Sequence, residues 1–104
     1  MRALRVASPP IRLHPLAADE AEAARSWYFE RNGDAAAEFL AELNAAMAAI
    51  SEAPGRWPRL DTRYRRFLLR NFPFSIVYLP LLDSVEVIAI AHHRRRPGYW
   101  KERS

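Results

Sequence analysis

VEVIAIAHHRRRPGYW, residues 85–100, decides how this chain folds and where its chemistry lies. Residues 85–91 are apolar on both alternating sets, Val85, Val87, Ala89 and Ala91 on one and Ile88 and Ile90 on the other, which predicts a central strand covered on both faces. The strand runs straight into His92, His93, Arg94, Arg95 and Arg96. Pro97 and Gly98 then break the regular backbone before Tyr99 and Trp100. Guanidiniums beside imidazoles hold phosphate and move protons, and a rigid strand end that aims such groups is a natural functional junction.

Two more strand-like runs precede it, residues 64–69 (YRRFLL) and 74–79 (FSIVYL). Asn71-Phe72-Pro73 separates the first from the second and residues 80–84 separate the second from the last, spacings that suit an antiparallel meander. Arg65 and Arg66 alternate, so one arginine faces each side of the sheet. Residues 80–84, PLLDS, are more apolar than a hairpin turn needs and are expected to pack as an ordinary loop.

Two helices are expected upstream. Residues 11–13 form a short first strand, and His14-Pro15 opens a helix to about Asn32, with Asp19, Glu20 and Glu22 favouring its positive end. Ala17, Ala21, Ala24 and Tyr28 share one stripe of it. Asn32-Gly33-Asp34 ends that helix and caps the next, whose stripe is Ala36, Leu40, Leu43, Met47 and Ile50, running to about Glu52. Ala53-Pro54-Gly55 stops it, and Trp57 lies in the loop beyond as a lid on the core. The class is therefore α+β, a helical hairpin packed on a small antiparallel sheet in the order β-α-α-β-β-β, with the opposite face partly open. Residues 1–10 are expected to be a flexible extension and residues 11–104 one domain.

Composition narrows the function. The chain of 104 residues has no cysteine and three histidines without zinc-site spacing, so neither a disulfide framework, a metal nor another cofactor is expected. No segment approaches the length of a membrane span and the start lacks a signal-peptide core, which predicts a soluble protein of the cytoplasm. Residues 14–55 hold eight acids against two arginines, a net of −6, and a chain total of +4 leaves +10 for the rest. That excess is arginine apart from Lys101, and it points to nucleic acid or to an acidic protein partner.

Several of these pieces, in this order and spacing, resemble the RelE/ParE superfamily of bacterial toxins, of the plasmid stabilisation protein type. They are His14-Pro15 before an acidic, alanine-rich helix ending Ser26-Trp27-Tyr28, the run Phe39-Leu40-Ala41-Glu42-Leu43, residues 65–70 (RRFLLR) before Phe72-Pro73-Phe74, and residues 91–97 (AHHRRRP) with Trp100 beyond. The resemblance implies the toxin of a type II toxin–antitoxin system, silenced by a cognate antitoxin and reaching operator DNA only through that complex. RelE-like members cut mRNA on the ribosome; ParE-like members inhibit DNA gyrase and are not nucleases; others have no demonstrated activity. A nuclease would use His92 as base or acid, Arg66 and Arg95 on the phosphate and Tyr99 as second proton donor or stacking ring. Ser75 stands where such nucleases carry an arginine, and His92 is as well suited to capping the strand end. Arg65, Arg70, His93, Arg94, Arg96 and Lys101 complete the expected target-binding surface. The competing class is a non-catalytic nucleic-acid-binding or degenerate member that acts only with its antitoxin.

Overall fold

The computed structural model describes residues 8–103. The expected extension over residues 1–10 lies mostly outside them. The elements are β1 (Ile11–Leu13), α1 (Pro15–Arg31), α2 (Gly33–Glu52), β2 (Arg65–Leu68), β3 (Phe74–Pro80) and β4 (Val85–His92), followed by a 3-10 turn at Lys101–Arg103. This is the expected order. The helices form an antiparallel hairpin on one face of a single four-stranded sheet of order β1-β4-β3-β2.

Local chemistry explains the boundaries. His14 caps α1 by accepting the Leu16 amide on Nδ1 at 3.0 Å, and Pro15 occupies the first turn, where no amide donor is required. Asn32 serves both helices: its amide donates to the Tyr28 carbonyl while its Oδ1 accepts from Asp34 and Ala35 at 2.9 and 3.3 Å. One residue thus sets the angle of the hairpin.

The α1 stripe of Ala17, Ala21, Ala24 and Tyr28 packs on the core as expected, whereas that of α2 differs by a small rotation. In α2 the buried apolar set is Ala36, Phe39, Leu43, Ala46 and Ile50, and Leu40 is exposed. Two stripes one residue apart are equally periodic, and the larger aromatic at Phe39 wins the core, where it meets Tyr28, Phe72 and Phe74.

The three C-terminal strands pair antiparallel as the turn spacing predicts, with β4 central between β3 and β1. β1 joins the other side of β4 in parallel, Ile11 opposite Val85 and Leu13 opposite Val87, so the whole sheet is mixed. Within β4 the simple alternation fails. Val77 pairs with Ala89 and Tyr78 with Val87, leaving Ile88 as an extra, bulged residue. From there the faces shift: Val85, Val87 and Ile90 lie in the core beneath the helices, whereas Ile88 and Ala89 join the opposite face.

That opposite face is less open than expected. Tyr64, Val77, Leu79, Ile88, Ala89 and Trp100 form a second small core, with the Trp100 ring edge-on to Tyr64 at 4.7 Å. The loop after β3 does not pack: Leu82 is 97% exposed, because Leu81 and Ser84 already close the turn through a backbone hydrogen bond.

Candidate functional site

β4 ends at the cluster of ionisable residues, and the bulge at Ile88 determines where each side chain goes. β1 pairs with β4 only as far as Val87, so beyond it β4 has a bare edge of backbone donors and acceptors inside the molecule. Two side chains take the place of a longer β1. Glu20 of α1 accepts the Ile90 amide at 3.0 Å, and the Arg103 guanidinium donates to the Ile88 carbonyl at 3.0 Å.

Glu20 and Arg103 also bind each other through two contacts of 2.9 Å, and the Tyr99 hydroxyl donates to Glu20 at 2.7 Å. Burial pushes the Glu20 carboxyl up, but hydrogen bonds from Arg103, Tyr99 and the Ile90 amide outweigh it and hold the group below its ordinary range. The Tyr99 phenol moves the other way. Burial raises it first, and donation to the Glu20 carboxylate raises it further, so its proton is held tightly. Gly98, at a φ of 77°, makes the reversal that brings Tyr99 and Trp100 back onto the sheet.

His92 lies on the helix side of the sheet. Its ring stands edge-on to Phe74 at 5.0 Å, and Nδ1 accepts the Arg94 amide at 3.0 Å, capping the turn that follows β4. Arg95 stacks over Tyr99 at 3.8 Å and lies 3.9 Å from Glu20. His93 takes the opposite face, where its Nε2 is 3.1 Å from the Ser75 hydroxyl. Arg66 faces that same side, and with His92, His93, Arg95, Arg96 and Tyr99 it lines a small hollow of about 150 Å³ in front of Trp100.

The expected catalytic quartet is therefore brought together, since Arg66, His92, Arg95 and Tyr99 all border this hollow, but three of its members are engaged elsewhere. Tyr99 and Arg95 are drawn to Glu20, and the His92 ring packs on Phe74 with its Nδ1 taken by the Arg94 amide. Among the expected binding residues, Arg94, Arg96 and Lys101 are exposed, while Arg65 donates to the Trp57 carbonyl at 2.6 Å and is partly occupied in holding that loop. Arg70 is exposed at its side chain, but its backbone amide and that of Asn71 are held by Glu42 of α2. Glu20 and Arg103 are the residues that sequence reasoning missed. The signal for Glu20 was its spacing, three after Ala17 and four before Ala24, which puts a carboxylate in the stripe that faces the sheet rather than in a role at the helix end.

A second hollow, about 420 Å³, opens between α1 and the ends of β3 and β4. Its walls are mostly apolar, from Ala24, Trp27, Phe74 and Ile90, with His92 and Arg95 at one side. Among the described residues no group of histidine, cysteine or carboxylate side chains is arranged to hold a metal. No described helix is long and apolar enough to cross a membrane.

A family model described as "ParE toxin of type II toxin-antitoxin system, parDE" matches residues 11–97. In structure the chain is similar to the chromosomal ParDE TA system from P. aeruginosa, with a TM-score of 0.71 at 15% identity, covering 82% of this chain and 96% of that one. No curated protein matches it in sequence.

Proposed function

We propose, because the chain belongs to the ParE toxin family of type II toxin–antitoxin systems, that it arrests growth by binding and inhibiting DNA gyrase in the cytoplasm, and that a cognate antitoxin neutralises it. The observation that carries the choice of gyrase over RNA is that the candidate proton-transfer groups, though beside Arg66, are already engaged by other partners. Metal-free RNA cleavage needs a base and an acid within reach of one phosphate. Here the Tyr99 proton is committed to Glu20, and the His92 ring is packed on Phe74 with its Nδ1 accepting the Arg94 amide. What remains outward is a set of fixed cations, Arg66, Arg94 and Arg96, suited to binding a macromolecule rather than to shuttling protons.

A nuclease reading retains one supporting feature, since Arg66, His92, His93, Arg95 and Tyr99 share the open-face hollow. One experiment separates the two. The chain is expressed in a bacterium alone and with the neighbouring small reading frame, with pulse-labelling of DNA and protein synthesis, and the purified chain is added to a gyrase supercoiling assay. DNA synthesis is expected to fall first, the neighbour to restore growth, and Arg66→Ala to weaken inhibition while His93→Ala leaves most of it. Early loss of protein synthesis that His93→Ala abolishes would establish the nuclease instead. Unaltered growth would mean a family member without toxicity.

A further inference from the structure

The hollow between α1 and the end of the sheet has no part in the fold's own packing, yet it is formed by rigid elements. Ala23 and Trp27 of α1 line one wall, Phe74 and Ile90 the other, and His92 with Arg95 the end. Trp27 is 52% exposed, so the apolar lining continues to the rim. Large aromatics left at a rim beside a cleft are the usual anchoring points of protein interfaces.

The chemistry of the walls selects the occupant. A nucleobase would need a free ring face. The rings are instead engaged with one another or with a cation: His92 and Phe74 stand edge to face at 85°, and the Arg31 guanidinium lies over Trp27 at 3.7 Å. The charge at the mouth is positive. Glu20 is neutralised by Arg103, Arg95 is half-exposed, and the adjoining Arg94 and Arg96 have no ion pair among the described residues. A cleft that is apolar inside and cationic at its edge fits a large apolar side chain carried on an acidic segment of another protein.

We propose that this cleft is where the antitoxin anchors to the toxin, through an aromatic or leucine-sized side chain seated between Trp27 and Phe74, with carboxylates beside it meeting Arg95. The inference rests on the antitoxin reading above and adds to it the place and the chemistry of the contact. Occupancy also brings the partner against Arg95 and the Glu20 clasp, so the antitoxin holds the tail closed while it is bound.

The test measures affinity of the intact chain for the product of the neighbouring reading frame, by calorimetry, together with melting curves. Ala23→Trp fills the cleft from an exposed position on α1, and Arg95→Gln removes the charge while keeping the stem. Ala23→Trp is expected to weaken binding by about thirtyfold or more at an unchanged melting temperature. Arg95→Gln is expected to weaken it less and to flatten its dependence on salt. If the wild-type chain binds its neighbour and both variants bind equally well, the cleft is not the anchor, though the antitoxin reading stands. If the wild type does not bind the neighbour, both fall. A dimer of the isolated chain that Ala23→Trp dissociates would assign the cleft to a second copy and overturn the proposal.

Discussion

Replacing Glu20 by glutamine keeps the shape of the side chain but removes the charge that Arg103 faces at 2.9 Å and weakens its hold on Tyr99 and Ile90. Losing one partner from a largely enclosed ion pair strands the other, so Glu20→Gln is expected to cost about 2 kcal/mol, read from chemical denaturation. The sign with pH follows from the direction of the shift. The carboxyl is held below its ordinary value of 4.5, so its contribution is complete above that value and is lost as pH falls through the lower folded one. Wild type and Glu20→Gln should therefore converge in melting temperature in acid and differ most near neutrality. A constant difference across that range would show that the charge of Glu20 is not what stabilises the clasp. A role at the positive end of α1, as its acidic surroundings suggest, would predict a much smaller effect.

At the scale of the elements, the helical hairpin depends on Asn32 as the single residue between α1 and α2. Its side chain satisfies two otherwise orphan amides at the start of α2. Asn32→Ala is expected to cost about 1 kcal/mol and lower the melting temperature by about 5 °C. Asn32→Asp, which keeps the acceptor, should restore most of it; equal losses in the two variants would show that the side-chain cap does not stabilise the hairpin. The boundaries of α1 and α2 were legible because proline, asparagine and glycine act on the backbone within a few residues. The faces of β4 were not. The bulge at Ile88 depends on the register with β3, and one extra residue turns every later side chain to the other side. His92 and His93 exchange faces as a result, which packs the His92 ring on Phe74 and turns His93 to Ser75.

For the molecule as a whole, the sheet has a core on each side, and the second is closed by Trp100 of the C-terminal tail. Trp100, 5% exposed, covers Tyr64 and Ile88 from the far side of the sheet. Trp100→Ala is expected to cost about 3 kcal/mol and lower the melting temperature markedly. Trp100→Phe should recover part of that loss, since a ring still fills the space; a melting curve unchanged by Trp100→Ala would mean that the tail is not part of the folded core. Charge is distributed at the same scale. The acids lie mostly on the helical hairpin and the arginines on the sheet and tail, so one side of the molecule repels a polyanion and the other attracts it.

The sequence alone determined the order of elements, the antiparallel meander, the central place of residues 85–91 and the family resemblance. Each of these rests on hydrophobic period and turn chemistry, which act between residues close together in the chain. Only the tertiary structure decided that β1 runs parallel to β4, that Phe39 rather than Leu40 is buried, and that Glu20 and Tyr99, 79 residues apart, share a hydrogen bond. These depend on which backbone groups remain unpaired once the sheet has formed, and no local pattern records them. The Arg103 clasp exists because β1 is too short to cover the edge of β4, and that shortfall appears only when the strands are laid side by side.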